Sequence, residues 1–185
     1  MWIPVLGNVL AVLVIPFVGN LSDRIGRKPP IILGALGSGL LSFGYLYAIS
    51  IHNVPLAIAM SLLMWGVVYQ GYNAVFPSFY PELFPTRVRV SAMAISQNTG
   101  TTITALLPAL FAAVAPPGSD HVPLIVGVLA FGIACVAAIA AFSARETYRV
   151  KIEDLGKHDP IPVAPEEYMR LREAAMAQAR GRANA

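Results

Sequence analysis

Five long apolar segments lie in this chain, and every basic residue falls on the same side of them. All 13 Lys and Arg residues lie in the loop after the first segment, the loop after the third, or the chain beyond the fifth. The loops after the second and fourth segments contain none. Because cationic side chains are retained on the cytoplasmic side of a bilayer, this asymmetry predicts a multi-pass membrane protein with an external residue 1 and a cytoplasmic C-terminus.

Each segment has the length of a membrane-spanning helix, which takes about 20 apolar residues. The predicted spans are residues 2–21, 30–50, 55–80, 90–114 and 122–142. Apolar residues make up 56% of the chain and charged residues 12%, and none of the charged residues lies deep within a span. We therefore expect an all-α integral membrane fold over residues 1–144, in contact with the lipid bilayer, and a cytoplasmic tail over residues 145–185. The net charge of +3 is spread over loops and interleaved with acids, so no nucleic-acid partner is expected.

Small residues form a stripe along the second span. They are Gly34, Gly37, Ser38, Gly39, Ser42 and Gly44. Small residues three or four apart let another helix approach closely, so this face is predicted to pack against a neighbour. Pro16 and Pro108 fall inside spans and are expected to kink or locally open them.

The loop after the first span, residues 19–28, places one acid among three cations. It reads GNLSDRIGRK, and its distinctive residues are Gly19, Asp23, Arg24, Gly26, Arg27 and Lys28. An acid with several cationic neighbours is suited to ion pairs that exchange partners. Gly19 is expected to let a neighbouring helix approach closely, and Gly26 allows a tight turn. The string is similar to the G-x-L-[AS]-D-R-x-G-R-[KR] signature of the major facilitator superfamily, and we call it the gate motif.

A second motif, residues 81–89, follows the third span and reads PELFPTRVR. Its distinctive residues are Pro81, Glu82, Pro85 and Arg89. Glu82 and Arg89 can pair with each other or bond the backbone at helix ends, and Pro85 forces a turn. The string resembles the P-E-x-F-P-T-x-x-R signature between helices 10 and 11 of sugar porters and metabolite:proton symporters. The Glu146-Thr147 pair after the fifth span resembles the ending of the symporters.

The two motifs together imply that the five spans correspond to helices 8–12 of a twelve-helix major facilitator fold. The chain is then most of the C-terminal six-helix half, and helices 1–7 of the same carrier are an expected partner, so a truncated chain is expected. The resemblance implies alternating-access transport of a small polar solute or organic acid in symport with protons at the plasma membrane.

The third and fourth spans supply the candidates for lining a solute cavity, because secondary transporters bind near the bilayer midplane. The candidates are Trp65, Tyr69, Gln70, Tyr72, Asn73, Gln97, Asn98 and Thr101, with Phe76 and Thr104 on the same faces. Polar side chains in hydrocarbon are costly unless they face protein or a wet cavity. Hydrogen bonding between helices is the alternative for each polar member. Asn8 of the first span is a weaker candidate.

The sequence indicates no enzyme, metal site or cofactor. The three His residues fall in predicted loops or in the tail, and we find no nucleophile with a base partner. A proton symporter needs a titratable group within the membrane, and these spans have none, so its proton site would lie in helices 1–7. The alternative is a non-transporting membrane protein, either an inactive fragment or a chain that binds another membrane chain.

Overall fold

The structure, a computed structural model, describes residues 2–116, 121–151, 154–155 and 161–183; the side chains at 2–4, 179–180 and 182–183 are not among its described parts. Every regular element in these ranges is helical. His158 and residues 117–120 of the predicted outer loop lie outside the described residues.

The helices follow one another with short connections. They are α1 (Trp2–Ile25), α2 (Lys28–Ser50), α3 (Val54–Ser61), α4 (Gln70–Asn73), α5 (Phe76–Glu82), α6 (Arg89–Ala105), α7 (Leu107–Val114), α8 (Val122–Ser143) and α9 (Pro165–Ala183). A π-helical segment, Leu62–Val68, joins α3 to α4. Helix α1 continues through Pro16 without a break. Gly26 then turns the chain into α2 with φ of 107°, a conformation that only glycine adopts without strain.

Among the described residues, four helical stretches are long and apolar enough to cross a bilayer: Val5–Ile25, Lys28–Ser50, Val54–Glu82 and Val122–Ser143. The remaining predicted span, 90–114, is not one helix, because α6 ends before Leu106 and α7 begins after it. Pro108 has no N–H to donate to the carbonyl one turn earlier, and the Leu106 N–H bonds only three residues back, to Ile103. The expected opening at Pro108 therefore occurs, and it divides the fourth span.

Helix α2 is the centre of the bundle, because its small residues admit helices on two sides. A Cβ on Gly34 would lie 2.5 Å from the backbone nitrogen of Tyr72, so α2 and α4 touch backbone to backbone. A Cβ on Gly39 would lie 2.7 Å from Ala134 of α8. The packing role expected for the small-residue stripe is therefore what the structure shows.

The third span changes from α-helix to π-helix at its middle. Its start is capped by Asn53, whose side chain accepts a hydrogen bond from the Leu56 N–H at 3.0 Å. In the π-helical segment the Tyr69 N–H bonds five residues back, to the Met64 carbonyl at 2.8 Å. A π-helical turn inserts an extra residue, so it rotates every later side chain relative to α3. The directions in which the side chains of α4 and α5 point therefore depend on this inserted residue.

Candidate functional site

Arg27 is the centre of an ion-pair network where α1, α2 and α5 meet, which we call the basic end of the bundle. Its Nη1 donates to Asp23 Oδ1 at 2.6 Å and to Ser22 Oγ at 2.9 Å. Its Nη2 lies 3.5 Å from Glu82 Oε1, 55 residues further along the chain. The Arg27 side chain is 16% exposed and that of Glu82 21%. One guanidinium therefore links the gate motif to the end of the third span in a half-buried environment.

At the basic end, the N-terminus of α2 and the C-terminus of α8 are joined by hydrogen bonds to each other's terminal backbone groups. Glu146, just beyond α8, accepts hydrogen bonds from the backbone N–H groups of Arg27 at 3.0 Å and Lys28 at 3.2 Å. Lys28 Nζ in turn donates to the carbonyls of Phe142, at 2.5 Å, and Ala144, at 2.9 Å. A carboxylate at a helix N-terminus and an ammonium at a C-terminus each match the helix dipole, so this exchange fastens α2 to α8.

Glu82 of the second motif bonds with residues outside that motif. Besides Arg27, it accepts a hydrogen bond from the Thr147 hydroxyl. Arg89 instead bonds the backbone, the other possibility for it, and donates from Nε to the Phe84 carbonyl at 3.4 Å. The suggested Glu82–Arg89 pair is therefore not formed. Pro81 lies inside α5, and Pro85 begins the turn that is closed by the Val88 N–H on its carbonyl at 3.1 Å.

Two residues of the gate motif differ from expectation. A Cβ on Gly19 would meet nothing within 4 Å, so no described helix makes use of the space beside it. Arg24 is exposed, and its backbone carbonyl accepts a hydrogen bond from the Tyr148 hydroxyl at 2.8 Å. The motif residues with described side-chain contacts or a special backbone conformation are Asp23, Gly26, Arg27 and Lys28. Ser22, which sequence reasoning missed, is 1% exposed and donates to the Gly19 carbonyl.

Six aromatic rings follow one another from the middle of the third span to just beyond its end, and three of the five neighbouring pairs are stacked. Successive centroids are 4.8, 5.8, 5.3, 4.8 and 5.6 Å apart through Trp65, Tyr69, Tyr72, Phe76, Tyr80 and Phe84. The spacing of the first four, at intervals of four, three and four residues, predicts that they share one helical face, and Tyr80 and Phe84 continue the row at intervals of four. The indole N–H of Trp65 donates to Asn8 Oδ1 at 3.0 Å, which joins this aromatic row to α1.

A cavity of about 600 Å³ opens between the aromatic row and α6. It is lined by Tyr72, Phe76, Tyr80, Ser96, Gln97, Gly100, Thr101, Thr104 and Ala105. A second cavity of about 510 Å³ lies between the third span, α2 and α8, and Tyr72 and Thr104 border both. Neither lining includes a charged residue. These walls offer aromatic surface, hydroxyls and one amide, a combination that binds small polar organic molecules.

Three of the candidate lining residues border neither of these two cavities. Gln70 is 1% exposed, and its Nε2 donates to the Trp65 carbonyl at 2.8 Å, so it satisfies the backbone of the π-helical segment. Asn73 Nδ2 donates to Gln70 Oε1 at 3.1 Å. Asn98 borders neither of the two cavities. Both bonds lie within the third span, so for Gln70 and Asn73 the structure shows neither the cavity lining nor the hydrogen bonding between helices that the sequence offered as the alternative. Within the described residues, no group of acidic, His or Cys side chains is arranged to hold a metal.

The comparisons with known proteins agree on one family. The model described as "Major Facilitator Superfamily" matches residues 1–180. A proline/betaine transporter of Salmonella typhimurium is 32% identical over 132 residues, which are 71% of this chain and 26% of that protein. A probable 4-methylmuconolactone transporter of Cupriavidus pinatubonensis is 32% identical over 154 residues, 79% of this chain and 33% of that protein.

A third relative, the cis,cis-muconate transport protein of Acinetobacter baylyi, is 28% identical over 144 residues, 78% of this chain and 32% of that protein. The chain thus spans about a quarter to a third of the length of these relatives. The three named relatives are transporters, not enzymes. No solved structure matches the chain.

Proposed function

Since this chain belongs to the Major Facilitator Superfamily, we propose that it forms five helices of a carrier that moves a small polar solute or organic acid across the plasma membrane by alternating access. The observation that carries the proposal is the uncharged cavity between the aromatic row and α6. It lies beside Tyr72 and Thr101, close to the middle of the third and fourth predicted spans. Secondary transporters bind their solutes at this depth, between two halves of the molecule.

The basic end supplies a contact that can open and close. Alternating access requires the path on one side of the bound solute to be sealed while the other is open. The Arg27–Glu82 pair joins the gate motif to α5, whereas the Arg27–Asp23 pair joins residues four apart in the motif; both are partly exposed, at 34% for the Asp23 side chain. Ion pairs of this exposure are worth little individually, so they can break without a large energetic cost. We assign them to the closed state of the cytoplasmic path.

The class of solute follows from the lining and from the relatives. The named relatives carry proline or betaine in one case and muconate or 4-methylmuconolactone in the others. All are small molecules with carboxylate or lactone oxygens, which the amide N–H groups of Gln97 can bind. The hydroxyls of Ser96, Thr101 and Thr104 already donate to backbone carbonyls of α6. Because the cavity lining has no charged residue, any counter-charge for a carboxylate, and the proton site of a symporter, is assigned to helices 1–7 of the carrier.

The amide of Gln97 provides a test of the cavity. We expect Gln97→Leu in the full-length carrier to raise the half-saturation concentration for solute about tenfold, as losing one hydrogen bond to a solute would do. Uptake of radiolabelled proline, glycine betaine and cis,cis-muconate by proteoliposomes under an inward proton gradient measures it. Thr99→Ala is the control, since Thr99 lies on α6 outside the cavity lining. Equal half-saturation in both variants would contradict the cavity assignment; uptake that never saturates would contradict a carrier.

The orientation in the membrane is proposed from the distribution of basic residues. The loop at 51–53 and the external start of α1 face outward, and the basic end with the tail faces the cytoplasm. In a Cys135→Ser background, we expect an impermeant maleimide applied to whole cells to label Ser50→Cys and not Thr86→Cys. Both positions are exposed, so burial does not account for a difference between them. Labelling of Thr86→Cys from outside would reverse the proposed topology.

A further inference from the structure

The third span lines the cavity beside α6 with a phenol, a phenyl ring and a second phenol, in that order. Tyr72, Phe76 and Tyr80 all border this cavity, at intervals of four residues along one helical face. The ring centroid of Phe76 lies 5.3 Å from that of Tyr72 and 4.8 Å from that of Tyr80, with interplanar angles of 23° and 20°. Two polar groups are therefore held apart by one apolar ring.

The hydroxyls of Tyr72 and Tyr80 are available to a solute. Within the described residues neither hydroxyl makes a hydrogen bond, and both residues are only partly buried. Neither oxygen is among the buried polar atoms that lack a partner, so both oxygens are accessible. Each phenol can therefore donate its proton to an acceptor in the cavity without giving up an existing hydrogen bond.

The opposite wall of the cavity, on α6, has fewer protons to donate. The hydroxyls of Ser96, Thr101 and Thr104 donate to backbone carbonyls one turn earlier, at 2.8, 2.9 and 2.8 Å. The amide of Gln97 makes no side-chain hydrogen bond within the described part of the chain. The donors that remain for a solute are thus the two phenols and this amide, and no residue of the lining is charged.

The aromatic rings of this wall present their edges to the cavity, because neighbouring rings cover their faces. Phe76 is stacked between Tyr72 and Tyr80, while Tyr72 also packs on Tyr69 at 5.8 Å and Tyr80 meets Phe84 at 5.6 Å and 87°. A quaternary ammonium group binds the open face of a ring, where the quadrupole is negative, whereas the edge is positive. This wall is therefore better suited to an anionic oxygen than to a cation.

We propose that Tyr72 and Tyr80 are specificity-determining residues that select a small dicarboxylic acid lying lengthwise along the third span. Each phenol donates to one carboxylate, and the hydrocarbon between the carboxylates packs against the edge of Phe76. Gln97 donates to the same solute from α6. The proposal rests on the transport function and narrows its solute, because a betaine has a single carboxylate and finds no open ring face for its ammonium group.

Equilibrium binding to the purified full-length carrier tests this selection, with adipate and monomethyl adipate as the probes. The two compounds have the same carbon chain between their carbonyl groups, but the ester has no charge at one end. We expect the parental carrier to bind adipate about tenfold more tightly than the ester, the ratio that one further charge-assisted hydrogen bond gives. Glycine betaine should bind more weakly than adipate. Isothermal titration calorimetry measures the three dissociation constants.

Removal of one phenol hydroxyl should abolish the preference for adipate without abolishing binding. In Tyr80→Phe, and separately in Tyr72→Phe, we expect the affinity for adipate to fall about tenfold, to that of the ester. The ester should keep its parental affinity, because its single carboxylate binds at the phenol that remains. A general loss of packing would instead weaken the binding of both compounds alike. Tyr45→Phe on α2 is the control and should change neither affinity, since Tyr45 borders neither of the two cavities.

Four results would overturn the assignment of the two phenols. They are no measurable binding of adipate, equal binding of adipate and its ester by the parental carrier, equal losses for both compounds in Tyr80→Phe, and tighter binding of glycine betaine than of adipate. Binding at equilibrium does not require transport. Failure of the transport proposal would therefore appear separately, as proteoliposome uptake that never saturates in a carrier that still prefers adipate to its ester.

Discussion

Residues 1–185, purified and reconstituted alone, are expected to insert into a bilayer and to catalyse no saturable solute uptake. Helices α6 and α7 have no buried residue, and the cavity beside α6 is lined only by residues of the third span and α6. Exposed amide side chains such as Gln97 and Asn98 need protein or water beside them, and each unmet polar group in hydrocarbon costs on the order of 1 kcal/mol or more. Alternating access also needs a second half against which these helices can rock.

Supplying helices 1–7 as a separate chain should restore part of the uptake, because the exposed faces of α1, α6 and α7 then have their partners. Proteoliposome uptake with the full-length carrier as the reference measures the recovery, and protease protection of the tail reports insertion of the isolated chain. Insertion without uptake in both samples would support the alternative of a non-transporting membrane protein. Saturable, proton-driven uptake by residues 1–185 alone would contradict the twelve-helix proposal and indicate a carrier made of several copies of this chain.

Gly34→Ala is expected to lower the thermal stability of the carrier strongly, and Gly34→Leu to abolish the folded yield. The added Cβ would lie 2.5 Å from the Tyr72 nitrogen and 2.8 Å from the Gly71 carbonyl carbon, both of them backbone atoms. Backbone cannot rotate away as a side chain does, so α2 and α4 must separate. Overpacking of this kind costs about 1–3 kcal/mol and outweighs the gain of up to about 1 kcal/mol from replacing glycine by alanine within a helix.

Gly132 on α8 is the matched control, because a Cβ there would meet nothing within 4 Å. We expect Gly132→Ala to melt at or slightly above the parental temperature. The melting of detergent-solubilised carrier, followed by size-exclusion chromatography with fluorescence detection, compares the variants. A Gly34→Ala carrier as stable as Gly132→Ala would show that α2 and α4 do not meet as closely as described.

The features that the sequence predicted well are those that depend on local spacing. The aromatic row follows from intervals of three and four, since residues so spaced share a helical face whatever surrounds them. The small-residue stripe of α2 is predicted in the same way, because Gly34 and Gly39 have no Cβ and so leave room for a neighbouring helix. Gly26 within a charged loop indicated a tight turn, and its φ of 107° agrees. Membrane spanning follows from length and apolarity, which need no partner.

Partner choice was decided only by the tertiary structure. Glu82 lies seven residues from Arg89, yet it pairs with Arg27 from 55 positions away, because helix packing brings α5 beside the gate motif. Gln70 is a polar residue near the middle of a span, so the sequence suggested that it lines a cavity. In the structure its amide instead donates to the Trp65 carbonyl of the π-helical segment. Nothing in the sequence distinguishes Arg172 from the other cations of the tail. Only the packing of α9 brings its guanidinium to 3.9 Å from the Asp23 carboxylate. Spacing along a helix predicts which residues share a face, but the residues that this face meets depend on how distant helices pack.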